Sequence, residues 1–326
     1  MIHNQLYNVY IASCDKKGGI YHYVMDEQGT LHPKSFTELD RPMYMTISKG
    51  KMYIVLRSPF DAGSESGVIT YDINKDGTLA NPSGIISTKG EVGCHIAVDN
   101  ENIYCANYIS GSVIKLGGRL VTYTGKGINL PRQDKPHQHF VGFTPDGKYV
   151  CSVDLGLDTI FIYDKELTPV SKAFVPKGHG ARHIVFSQDG KYAFCANELK
   201  STVCAFRYHD GNLTLIDTAY ILPEDFSKES TAAAIRIHNQ KIYVSNRGHD
   251  SISELDFSDE KLSLIKTYPC LGQTPRDFNF IGDYIVCTNQ DSNNAVVIDY
   301  QSKASRCVCE ISIESPLCVV QNRVLE

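Results

Sequence analysis

The chain has 326 residues, 42% of them hydrophobic and 21% charged, and a formal net charge of −5. That balance excludes a disordered polymer and removes the basic footprint of a nucleic-acid binder. No apolar run approaches the ~20 residues that span a bilayer, and the opening MIHNQLYNVYIASC lacks the charged and long apolar regions of a secretory signal.

Three short alternating runs come first, at Tyr7 to Ser13, Gly19 to Asp26 and near His32 to Glu38. A recurring unit then begins at Met43 (MYMTISKGKMYIVL) and again at Cys94 (CHIAVDNENIYCAN). It is clearest at His139 (HFVGFTPDGKYVCSVD) and at Arg182 (RHIVFSQDGKYAFCAN), about 43 residues apart. Further copies start at Ala234 (AIRIHNQKIYVSN) and Arg276 (RDFNFIGDYIVCTN), and a last, truncated one starts at Leu317 (LCVVQN). Each complete copy pairs two alternating runs across a short turn, usually rich in Asp, Asn or Gly. Helical periodicity is nowhere sustained.

The final copy has room for one strand, while the first three runs lack an inner partner. A ring closed by one C-terminal and three N-terminal strands satisfies both and removes exposed sheet edges. The sequence therefore predicts an all-β fold, a single seven-bladed β-propeller over residues 1–326 with four antiparallel strands per blade. Six blades is the alternative, because the unit around Met43 is the least regular.

Eleven cysteines are present, most of them single within apolar runs (Cys105, Cys151, Cys195, Cys204, Cys287). The only close pair, Cys307 and Cys309, lacks the spacing of a zinc site. They read as small buried hydrophobes in a reducing compartment, so a cytoplasmic protein is expected.

In such a blade the start of the first strand and the end of the second face the same mouth of the ring. The first-strand starts supply Arg41, His95, His137, His139, Arg182, His183, Arg236 and Arg276. The second-strand ends supply Arg57, Asn107, Asp154, Asn197, Glu198, Asn246, Arg247, Asn289 and Gln290. Asp154 and Glu198 are the only carboxylates there, so this face of an acidic protein suits a small anionic molecule. Asn and Asp at strand ends also cap turns, and a His at a strand start is often structural. His139, Arg182, Glu198 and Arg247 carry the stronger functional expectation, because long charged side chains crowded in a channel need partners.

Five blocks in order carry a resemblance: VYIAS…GGIYHYVMD, GEVGCHIAVD…YCANYISGSV, KPHQHFVGFTPDGKYVCSVDLGLDTIFIYD, GARHIVFSQDGKYAFCANELKSTVCAF and AAAIRIHNQKIYVSNRGHDSIS. They resemble the lactonase family of seven-bladed propellers, which includes bacterial 6-phosphogluconolactonases and fungal carboxymuconate cyclases. The resemblance places the functional residues at His139, Arg182, Glu198 and Arg247. It implies hydrolysis of 6-phospho-D-glucono-1,5-lactone, with Glu198 or His139 as base and Arg182 and Arg247 on the phosphate or oxyanion. His95, His183, Asn107, Asp154 and Asn197 are the candidate substrate-binding residues. Ala234 departs from the pattern, since the family often has Glu there, and turns such as IHNQKIYVSN lose the P-D-G sequence. No G-x-S-x-G elbow is present, and the cationic mouth disfavours a divalent ion, so no metal or cofactor is expected. A muconate-type cycloisomerase and a non-catalytic binding propeller stay open as alternatives. A monomer or weak homodimer, with no membrane or nucleic-acid partner, completes the expectation.

Overall fold

A computed structural model describes residues 6–60, 63–302 and 305–324. Seven antiparallel sheets are arranged as blades, six of four strands and one of five. The inner strands are Pro42–Ser48, Gly93–Asp99, Gln138–Phe143, Ala181–Phe186, Thr231–His238, Pro275–Ile281 and Pro316–Arg323. Each predicted start falls on one of them. Among the described residues there is no helix, and hence none long and apolar enough to cross a membrane.

Closure is as the strand count required. Pro316–Arg323 pairs antiparallel with Tyr7–Ser13, which continues outward through Gly19–Met25 to Leu31–Glu38. The unit around Met43 is a full blade, so the six-bladed alternative falls. Its irregularity has a physical source: the outer edge of Glu65–Ile73 is shared by the two-residue strand Leu79–Ala80 and by Ile86–Glu91.

The period-2 alternation buries one side chain after another between neighbouring blades. Val153, Ile160 and Ile162 of one blade pack against Ala181, Ile184 and Cys195 of the next, all but Ile184 fully buried. Val9 and Ile11 likewise meet Val286, Val297 and Val319 across the closure. All eleven cysteines are free and eight are buried. The eight buried ones pack in the apolar clusters as the sequence suggested, while Cys14 and Cys309 are half-buried and Cys307 is exposed.

The hairpin turns explain their own sequences. Gly147 and Gly190 of the two D-G-K-Y turns have φ of 67° and 70°, where a side chain would be strained. The turn that loses P-D-G, at Asn239 and Gln240, has φ of 46° and 62° and joins His238 directly opposite Lys241. It is a two-residue hairpin of the type that needs positive φ twice, which Asn tolerates.

One irregularity recurs at the same place in every blade. The inner strand carries an extra residue at its mouth end, so the register slips against its partner. In six blades the residue left over is Met43, Cys94, His139, Arg182, Arg276 or Leu317. A bulge bends the strand and re-aims its side chain. These six side chains all line one small space on the ring axis.

Candidate active site

The repeated bulge builds the inner layer of the site. It turns His139 and Arg182 inward from adjacent blades and Arg276 from farther round the ring, while Met43 and Leu317 make the opposite wall apolar. Cys94 lies in the same layer, but burial pushes its thiol up to about 12, so it is a neutral group and no nucleophile. Its Sγ is 4.0 Å from His139 Nδ1.

Glu198 follows the strand Tyr192–Asn197, and its backbone N–H donates to Gly180 O at 2.7 Å. That bond ties it to the segment just before Arg182. Its side chain is 3% exposed and is met from four directions. Arg182 Nε donates to Oε2 at 3.1 Å, and Arg247 Nη2 lies 3.0 Å from the same oxygen. His139 Nε2 is 3.9 Å away, and Arg132 Nη2 is paired with Oε1. Three of the four functional residues expected from sequence, His139, Arg182 and Arg247, thus converge on the carboxylate of the fourth, Glu198.

Electrostatics sets their states. Burial alone would raise the Glu198 carboxyl, but the Arg247, Arg182 and Arg132 charges, with His139, hold it well below the usual range. Burial, reinforced by Arg182, holds His139 well below 6.5, so its imidazole is neutral. Burial and the neighbouring Arg276 and Arg247 charges lower Arg182 to about 9, which still leaves it charged at neutral pH. Arg276 is partly exposed and makes no hydrogen bond or ion pair to any described residue. Asp277 beside it is already paired with Arg236 at 2.6 Å. Four guanidiniums (Arg132, Arg182, Arg247, Arg276) against one carboxylate leave this mouth three charges positive in a protein of net charge −5.

Several sequence candidates lie elsewhere. Asn107 Nδ2 donates to Thr88 O and Ser112 Oγ, and Asn197 Nδ2 donates to Thr202 Oγ1 and Cys204 Sγ. Asp154 accepts from the backbone of His137 and Leu157 and from Gln138 Nε2, and burial raises it to about 6. These three cap turns and lock strand ends, as do Asn246 and Asn289. Their hydrogen bonds thus tie them to strand ends and turns rather than to the Glu198 cluster. His95 stands in an aromatic plug, its ring 4.2 Å from Tyr44 and 4.3 Å from Phe140. His183 lines the small axial space, with Nε2 3.3 Å from Arg182 Nη1, so it touches the site through Arg182. Arg41 pairs with Asp40 outside the cluster, and His137 is held by Asp134 and Tyr108 O. Ala234 is buried in an apolar cluster with Tyr243 and Phe278.

Arg132 is the residue that sequence reasoning missed. It sits in the stretch between Leu120–Thr122 and Gln138–Phe143. The neighbouring Gln133, fully buried, donates to Leu155 O and Asp158 Oδ1, both at 2.8 Å. Asp158 in turn accepts from the backbone of Gly178 and Gly180 at 2.6 Å. One buried hub therefore fixes both the stretch bearing Arg132 and the approach to Arg182. The signal available was length: fifteen residues without a strand in a fold of short turns.

The family description "Lactonase, 7-bladed beta-propeller" matches residues 8–321. This chain belongs to that lactonase family. A relative from Bacillus subtilis (strain 168), named 6-phosphogluconolactonase, is 33% identical, covering 95% of this chain and 97% of its own. A crystal structure of a putative 6-phosphogluconolactonase from Bacteroides fragilis superimposes with a TM-score of 0.86 at 26% identity, over 98% of both chains. A protein from Lactobacillus plantarum gives 0.87 at 27% identity, over 98% of this chain and 99% of its own. The blade count and the closed ring are those of the family. Within it, the Glu198 cluster of this member combines a buried carboxylate, a neutral imidazole and surplus guanidinium charge in one mouth.

Proposed function

We propose that this protein hydrolyses a phosphorylated sugar lactone, with 6-phospho-D-glucono-1,5-lactone as the substrate and 6-phosphogluconate as the product. The observation that carries the reading is the buried Glu198 carboxylate set among three guanidiniums, with the unpaired Arg276 close by. The Bacillus subtilis relative supports the choice of substrate.

A δ-lactone is an activated ester, so positioning, one base and oxyanion stabilisation suffice. Water loses a proton to Glu198 as its oxygen bonds to the lactone carbonyl carbon. The carbonyl oxygen becomes an oxyanion held by guanidinium N–H groups. The ring C–O bond then breaks, the ring oxygen takes the proton from Glu198, and the acid product ionises. Glu198 rather than His139 is taken as the acceptor, because burial favours a neutral carboxyl and opposes an imidazolium, and its affinity for the proton rises once one of the guanidiniums paired with it moves away. Arg182 and Arg247 orient the carboxylate and face the developing oxyanion.

The test is turnover of freshly made 6-phosphogluconolactone after subtraction of spontaneous hydrolysis. Wild type should accelerate it, and Glu198→Gln should lower kcat by about 100-fold or more, the usual range for a general base. Arg182→Ala should lose a comparable factor through the oxyanion. No acceleration by wild type refutes the activity. Full activity in both variants refutes the site while leaving the activity standing.

A further inference from the structure

The space enclosed by the bulged residues is about 20 Å³, room for one water-sized group. A sugar lactone needs a cleft of hundreds of cubic ångströms. A cleft of about 1000 Å³ has Arg132 in its wall together with Leu199, the residue after Glu198, the cations Lys200 and Lys228 and the carboxylates Glu224 and Glu229. Arg132 thus stands between the open cleft and the buried carboxylate.

Its position differs from that of the other two partners of Glu198. The side chains of Arg182 and Arg247 are 3% and 14% exposed and belong to blade strands, whereas that of Arg132 is 44% exposed and belongs to the connecting stretch. Among the described residues only Tyr108 Oη, at 3.4 Å, holds it besides Glu198. A half-exposed ion pair is the cheapest of the three to exchange, since water and salt already compete for it. A carboxylate clamped by three guanidiniums is also a poor base until one of them leaves.

We propose that Arg132 is an exchangeable clamp: it pairs with Glu198 in the empty site, and the phosphate group of the substrate draws it away. The exchange clears the path from the cleft and frees Oε1 to take the proton of water. Guanidinium forks match phosphate as well as they match carboxylate, so the arginine changes partner without losing charge-assisted hydrogen bonds. Arg276, unpaired at the same mouth, supplies fixed positive charge that draws the anion in. Other groups act on Glu198 without moving: Arg182 and Arg247 at its Oε2, the neutral His139, and more weakly Arg276. Tyr108 and Cys94 complete the ring of titratable neighbours, and both are neutral because burial raises them.

This inference rests on the hydrolase reading and sharpens it into substrate selection by the phosphate. Arg132→Gln and Arg132→Lys are compared with wild type on 6-phosphoglucono-1,5-lactone and on glucono-1,5-lactone, the latter with and without inorganic phosphate. The Gln variant should raise KM for the phosphorylated lactone at least tenfold and raise kcat for the neutral one severalfold, because Glu198 has lost a clamp. The Lys variant should recover part of the KM. Inorganic phosphate should speed neutral-lactone turnover by wild type and leave the Gln variant unchanged. Proportionate losses on both lactones would make Arg132 a structural residue and overturn the exchange alone. Failure of wild type to accelerate either lactone overturns the hydrolase reading and the exchange with it.

Discussion

His95 lies in a sandwich of rings, 4.2 Å from Tyr44, 4.3 Å from Phe140 and 5.1 Å from His183, and its Nδ1 is buried without a partner. Burial, helped by the Arg236 and Arg182 charges, lowers it to about 3. The unfolded chain binds that proton near 6.5, the folded chain only near 3, so stability is complete above 6.5 and lost as pH falls between the two. The slope is about 1.4 kcal/mol per pH unit for one such group. His95→Phe, which keeps the ring stack, should flatten the decline of unfolding free energy between pH 6.5 and 4.5 by about that slope. Denaturant melts across this range measure it, and an unchanged slope would mean that His95 is protonated in the fold. In the sequence His95 and His139 both stand near the start of an inner strand, with the stronger functional expectation on His139. The bulge separates them: His139 is the extra residue and turns to the axis, while His95 follows an extra residue and stays with the stack.

At the scale of elements, strand positions and turns were legible because alternation and D-G turns are local signals. The bulges were not, because an extra residue merely shifts the phase of alternation and leaves no residue type behind. Their consequence can still be tested through two glycines of equal φ and different surroundings. Gly147, with φ of 67°, faces open space in a turn remote from the mouth. Gly147→Ala should cost about 1 kcal/mol from the left-handed backbone alone and leave turnover intact. Gly180, with φ of 69°, precedes the bulge that aims Arg182, and its carbonyl receives the Glu198 N–H. A Cβ there would stand 2.5 Å from the Leu199 side chain, next to Glu198. Gly180→Ala should therefore reduce kcat by about tenfold or more, since sub-ångström misplacement of catalytic groups has effects of that order. Equal turnover in the two variants would show that the approach to the bulge does not set the catalytic geometry.

The whole ring was legible by counting, since seven inner strands and a three-strand surplus at the N-terminus leave one way to close. What counting could not supply was the stretch bearing Arg132, which belongs to no repeat and is placed by the long-range Gln133–Asp158 contact. Closure itself makes the last prediction. Tyr7–Ser13 is buried at every position after Tyr7, and its inner partner among the described residues is Pro316–Arg323. A chain ending at Ile313 would expose the Val9 and Ile11 seam together with a row of unpaired backbone groups, which is a template for association. It would also remove Leu317 from the axial layer and the Val319 N–H that donates to Asp277 at 3.1 Å, loosening the Asp277–Arg236 pair beneath Arg276. This truncation should convert a single cooperative melt into aggregation on size-exclusion chromatography, and a peptide spanning residues 314–326 should restore soluble protein when present during refolding. A truncated chain that stays soluble and melts cooperatively would show that six complete blades hold the ring open-ended, and that the terminal strand serves the mouth rather than the fold.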